Sequence, residues 1–251
     1  MQWADEGIVL AARRHGESSA IASLLTHEHG RHAGLVRGGA GRRGRGMLQP
    51  GNRVMATWRA RLADQLGSYA LELVHAGAAD LMDDAGRLAA LAAACAVSEA
   101  ALPERHPYPV LFESLGTLIA ALTSETAWGA DFVRWELGLL EQLGFGLDLA
   151  ACAVSGATAG LAYVSPTSGR AVAEGAAGRY RDRLLPLPKF LAGGGEAGAD
   201  DVLAGLRLTG SFLERHAFAP HGRRLPPARD RLVGMISLVA TRTGSVRTPE
   251  Q

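Results

Sequence analysis

Lysine is almost missing from this chain: Lys189 stands alone among 26 basic residues, and the others are arginine. Alanine and glycine are abundant beside it, so the shortage reads as a coding bias. Arginine in place of lysine therefore says nothing here about selection for bidentate phosphate contacts. Cysteine is scarce as well. Cys95 and Cys152 lie far apart, which excludes a disulfide framework and points to a reducing compartment. No run of about 18 apolar residues occurs, and the Ala-rich stretch 88–98 is too short to span a bilayer. The opening MQWADEGIVLAARR has no basic region followed by a long apolar core, so no secretory signal is expected. A soluble cytoplasmic protein without membrane contact is the expectation.

Catalytic signatures are lacking too. No serine sits in G-x-S-x-G, and no glycine-rich loop ends in Lys-Ser/Thr. Asp83–Asp84 and Asp200–Asp201 are adjacent pairs. Neighbours on a helix point about 100° apart, so these read as partners of helix N-termini and not as a two-metal site. His27, His29 and His32 cluster in THEHGRH, without the matched thiolate or carboxylate pattern of a zinc centre. They read as a turn between strands. No enzyme, cofactor or metal is expected.

The absence that matters most is local. Between Glu28 and Asp64 run 35 residues with no acid. They hold Arg31, Arg37, Arg42, Arg43, Arg45, Arg53, Arg59 and Arg61, eight cations in a chain whose formal net charge is only +1. The remainder must be net acidic, and this polarity is the footprint of a polyanion binder. The stretch GGAGRRGRG reads as a mobile loop between strands, able to follow a phosphate backbone. Arg53, Arg59 and Arg61 alternate onto one face of the strand beside it. Trp58 and Tyr69 are the nearest aromatics that could stack on bases. Trp58, however, shares a face with Val54 and Ala56 and reads as core. Neutralising about five phosphates predicts a log–log salt slope of about −3.5 to −4.5, largely independent of base sequence.

Residues 1–78 read as β. EGIVLAAR, SAIASLLT, HAGLVRG, NRVMATWRARL and GSYALELVHA are five short strands with Gly-rich connections, which suggests a small closed or nearly closed barrel. From residue 79 the texture is helical: DLMDDAGRLAALAAACAVSEAAL, VLFESLGTLIAALTS, ADFVRWELGLLEQLGF, and two further helices around 201–217 and 228–241. The stretch 150–180 is rich in loops. The tail TGSVRTPEQ is expected to lack structure. Two weaker surfaces stand out for partners. Arg134, beside Trp135, could rim a groove for an acidic peptide. HGRRLPPARDR carries Arg223 and Arg224, with Arg229 and Arg231, as an accessory DNA or partner contact.

GIVLAARRHGESSAIASLLTHEHGRHAGLVRGGAGRRGR resembles the N-terminus of the bacterial recombination-mediator family RecO. In order along the chain, DFVRWELGLLEQLGFGLDLAACAVSG and YVSPTSGRAV resemble that family's later motifs. The resemblance implies an α+β protein: an N-terminal OB-fold β-barrel (1–78), then a helical domain (79–251) with a small zinc-ribbon-like insertion at about 150–180. It implies a DNA repair role that binds and anneals single- and double-stranded DNA, with RecR, the C-terminal tail of single-strand-binding protein and, indirectly, RecA as partners. Nucleoid association follows from the same likeness. An OB-fold RNA-binding or translation-associated module is the alternative. One departure is plain: where many members carry four cysteines, this chain has Cys152, Ser155, Ala173 and Ala176. Alanine cannot ligate, so the insertion is expected to be degenerate and zinc-free, held by apolar contacts of Leu161, Tyr163, Val164 and Val172.

Overall fold

The computed structural model of the chain describes residues 1–124 and 127–245, with side chains through 241. The tail expected to lack structure is helical in its first three residues, 243–245; the rest of it, from 246, lies outside the described residues. The chain packs as two compact units, Met1–Thr126 with Pro226–Arg229, and Ala127–Leu225 with Asp230–Gln251. No helix among the described residues is long and apolar enough to cross a membrane.

The first unit is built on β1 (Gln2–His15), β2 (Ser19–Thr26), β3 (Gly30–Val36), a short α1 (Arg42–Met47), β4 (Arg53–Arg59) and β5 (Ser68–His75). The strands close in the order β1-β2-β3-β5-β4. β1 is long enough to serve two neighbours. Its first half pairs antiparallel with β4, Gln2 opposite Arg59 through Ile8 opposite Arg53, and its second half pairs with β2. A register shift between Val9 and Ala11 marks where it bends from one to the other. Closure on the far side is thin: β3 and β5 run parallel for two pairs only, Leu35 with Ser68 and Val36 with Tyr69. The alternation of β4 is as its sequence indicates, with Val54, Ala56 and Trp58 in the core beside Val9, Leu24 and Val36.

Helices α2 (Ala85–Ala101) and α3 (Pro109–Thr123) pack against β1 and β2. Asp84 caps α2 by accepting the Gly86 and Arg87 backbone N–H groups, and Pro109 occupies the first turn of α3, where a missing N–H costs nothing. The second unit holds α4 (Trp128–Gln142), a small sheet of β6 (Leu161–Val164), β7 (Ala171–Ala173) and β8 (Leu185–Pro186), α5 (Glu174–Ala177) and α6 (Ala199–Leu213). α7 (Pro227–Ser245) closes the described chain. Phe132, Trp135 and Leu139 are buried on α4, and α6 packs across it. Asp200 and Asp201 lie in the first turn of α6. The adjacent acids thus serve helix N-termini, as their spacing indicates.

Around residues 150–180, Cys152, Val172 and Ala177 form a buried cluster with Leu161, Tyr163, Ala173, Ala176 and Leu184 against it. The residues do not fit a zinc ion. Two of the four corresponding positions, Ala173 and Ala176, are methyl groups in this apolar cluster, and no group of three or more metal-binding side chains exists among the described residues. The Cys152 Sγ instead accepts backbone N–H groups of Ala173 at 3.2 Å and Ser155 at 3.4 Å. The bond from Ala173 foremost, then those from the Ser155 side chain and backbone, lower its pKa to about 6 against the opposing effect of burial. Cys95, enclosed in α2, is pushed up to about 12 by burial.

Candidate nucleic-acid interface

The arginine-glycine stretch is not a mobile loop. Residues Arg42–Met47 form α1, although glycine disfavours helix and no side chain caps its start. Tertiary contacts fold it. Leu48, 4% exposed, enters the barrel core behind the helix; burying such a side chain is worth about 2 kcal/mol. Asn52, 1% exposed, donates its amide to the Gly46 and Met47 carbonyls, and its oxygen accepts the Ala78 N–H. The glycines serve close packing. A Cβ on Gly44 would lie 2.6 Å from the Gly38 carbonyl oxygen, and one on Gly39 2.9 Å from the Ala20 side chain.

Ordering this segment spreads its arginines over a defined surface. Past Tyr69, β3 has left β5, and a groove of about 970 Å3 lies between that strand and α1. Arg37, Arg42 and Arg43 line it, with Met47, Leu71 and Leu73 supplying apolar surface. All three arginines are exposed, and none has an ion-pair partner among the described residues. Arg45 is exposed as well and lines a different groove. Glu72 is the carboxylate in the first groove. Its like charge opposes any bound phosphate by roughly 0.5–1 kcal/mol at an exposed position. Glu72→Gln is therefore expected to tighten strand binding about threefold at low salt, with the gain vanishing at high salt as screening takes over; anisotropy titration at two ionic strengths checks it.

The other predicted arginines lie elsewhere. Arg31, with a side chain only 16% exposed, sits 3.3 Å from both Glu99 and Glu104, and its Nε donates to the Leu102 carbonyl. Glu99 also accepts the Ser23 hydroxyl. Arg53 pairs with Glu6 at 3.0 Å and lies over the Phe112 ring. Arg59 is at the far end of β4, about 20 Å of strand from Arg53, and Arg61 follows the strand instead of alternating on its face. Neither lines a groove beside α1. Arg13 and Arg14, which sequence reasoning missed, do: with Arg45 they line a second groove. The doublet at the end of an apolar strand was the available signal.

The aromatics are not open for stacking. Trp58 is core at 2% exposure and donates its indole N–H to the Leu66 carbonyl. Tyr69, 5% exposed, corrects the expectation of a stacking platform: its ring lies against Gly34, where a Cβ would approach to 2.5 Å. His32 is likewise not part of an exposed turn. It is buried among Trp3, Trp58 and Tyr69, with Nδ1 3.0 Å from the Ala33 carbonyl. Burial first, and the Arg105 charge second, lower its pKa to about 4. The unfolded chain would take that proton near 6.5, so the stability from neutral His32 is complete above 6.5 and is lost as the pH falls toward 4. The stability advantage of the wild type over His32→Gln should shrink across that window, read by urea denaturation at stepped pH. His29 remains partly exposed, with Nδ1 3.0 Å from Asp5.

In the second unit, Arg134 pairs with Asp131 at 3.0 Å and stands over the Phe190 ring. It also rims a groove of about 350 Å3 containing Leu137, Leu147 and Leu149. Arg223 and Arg224 are exposed. Arg229, read beside them as part of one basic patch, is buried at 3% exposure.

Comparison with known proteins covers nearly the whole chain. Residues 1–76 match the family model described as recombination protein O N terminal, and residues 82–225 match that described as recombination protein O C terminal. A DNA repair protein RecO of Rhodospirillum centenum is 54% identical over 251 residues, covering 99% of this chain and 100% of that protein. Those of Rhodospirillum rubrum (54% over 240 residues; 93% of this chain, 95% of that protein) and Phenylobacterium zucineum (53% over 238 residues; 94% and 98%) are similar to it as well.

Proposed function

The chain belongs to the recombination protein O family and is a DNA repair recombination mediator, and from that premise we propose that the groove beside α1 is where its N-terminal domain holds a DNA strand. The observation that carries this is the set of three exposed arginines, Arg37, Arg42 and Arg43, without carboxylate partners around one groove. Arg45, Arg59 and Arg61 add diffuse attraction, while Arg31 and Arg53 brace the domain through their carboxylates. The barrel is an OB-fold of residues 1–78. The helical part that follows from residue 79 begins with α2 and α3, which share the barrel's compact unit, and it includes a ribbon-like insertion in which apolar side chains stand in for zinc.

Binding works by charge neutralisation. Guanidinium groups replace condensed counterions along the phosphates, so repulsion between two strands falls and complementary single strands anneal. Duplex DNA meets the same arginines through its backbone. No covalent step is involved. The alternative of an RNA-binding or translation-associated module has no support from relatives named for DNA repair.

Partners follow the same chemistry. The acidic C-terminal tail of single-strand-binding protein fits the groove rimmed by Arg134, where its carboxylates compete with Asp131 for the guanidinium and its apolar side chains meet Leu137, Leu147 and Leu149. Arg223 and Arg224 are an accessory contact. RecR binding, and through it RecA loading on protein-coated strands, complete the role. Titration of a labelled single strand against salt tests the central claim. A slope of about −2 to −4 that is indifferent to base sequence supports it; a flat salt dependence removes the groove from the function.

A further inference from the structure

A second cationic groove, of about 300 Å3, is lined by Arg13, Arg14 and Arg45 together with Gln49 and Pro50. Arg43 and Arg45 are two residues apart on a helix, about 200° of rotation. They therefore point to opposite sides of α1, one into each groove. No acid is among the described lining residues of the second groove, whereas the first contains Glu72. Arg14 is already positioned: its Nε donates to the Gly16 carbonyl at 3.1 Å and its Nη2 to the Glu17 carbonyl at 3.0 Å. Both bonds are to backbone, so the charge is unspent, and little side-chain freedom is left to lose when a phosphate arrives.

We propose that this groove holds a second single strand of nucleic acid, so that α1 is a ridge between two strands carried side by side on one barrel. The inference rests on the reading of the first groove as a strand track and extends it. Two observations favour strands over another anionic ligand. Neither groove has an aromatic among its described lining residues. Stacking platforms, the usual means of holding single strands, sequester the bases. Here the arginines can hold only the backbones, which leaves the bases of both strands free to pair across the ridge. Second, nothing within 4 Å of Gly46 would obstruct a Cβ there. Packing does not require that glycine, and its bare backbone keeps the ridge low between the two grooves.

Native mass spectrometry of the full chain with oligothymidylate tests this. A length of about eight nucleotides suits the ~4–16 nucleotide footprint of one such barrel, and thymidylate cannot pair with itself. The wild type should form complexes with one and with two strands. Arg13→Ala/Arg14→Ala should form only the one-strand complex, with the first affinity changed less than twofold. Arg13→Lys/Arg14→Lys should regain the second strand. Annealing of two complementary oligonucleotides should slow about tenfold in the alanine pair at low salt, as two phosphate contacts are lost. A wild type that saturates with one strand, or an alanine pair that still takes two, overturns the second track while the first stands. If no strand binds at all, both readings fall.

Discussion

Arg37→Ala/Arg42→Ala/Arg43→Ala should lower single-strand affinity about 100-fold at low salt and flatten the log–log salt slope by about 2. Each guanidinium is exposed and lacks a carboxylate partner, so each is free to replace counterions on one phosphate, worth about 0.7 in slope for a single strand. At roughly 1 kcal/mol per solvated contact, three losses amount to about 3 kcal/mol. Folding should be spared. Exposed substitutions away from special features change stability by about 0.5 kcal/mol or less, and alanine is a better helix former than arginine at 42 and 43. Anisotropy titration across a salt series gives both quantities, and urea denaturation shows whether the variant is intact. An unchanged slope in a folded variant would place the DNA on another surface.

Arg31→Ala should do the reverse. Its side chain is largely enclosed by Glu99, Glu104 and the Leu102 carbonyl. Removing it strands two carboxylates and one backbone acceptor beside the barrel. Breaking a fully buried pair costs about 3–5 kcal/mol; Glu99 and Glu104 are 31% and 50% exposed, so about 2 kcal/mol is expected. The salt slope of DNA binding should stay within error of the wild type. Denaturation together with titration separates the outcomes, and a shallower slope without loss of stability would return Arg31 to the interface. The contrast with the triple variant matters because the two sets of arginines belong to one acid-free stretch and look alike in sequence.

How far the site could be read depends on which partners are local. In β4, Val54, Ala56 and Trp58 face inward because the two-residue period of a strand is written in adjacent residues. In β5 the same reasoning turns Leu73 inward, yet it is 48% exposed. β3 stops pairing at Tyr69, and no local pattern shows where a distant strand ends. The helix at 42–47 was hidden for a similar reason. Its glycines argue for a loop, and what overrules them is Leu48 filling the core, Asn52 holding two carbonyls and Gly44 meeting Gly38 and Gly39. Arg13 and Arg14 lie before Glu17 and Glu28, outside the acid-free stretch that holds the other arginines.

The sequence by itself determined the family, the strand-rich first part and helical remainder, the loss of the zinc ligands and the existence of a concentrated positive charge. These follow from residue identity and from periods of two and 3.6, which are local quantities. The tertiary structure alone decided which arginines remain available. Glu99 and Glu104 reach Arg31 from about seventy positions away, Glu6 reaches Arg53 across a strand pair, and the path of the chain sets Arg43 and Arg45 on opposite sides of a short helix. Charge acts through distance in space, and distance in space is fixed only when the chain has folded.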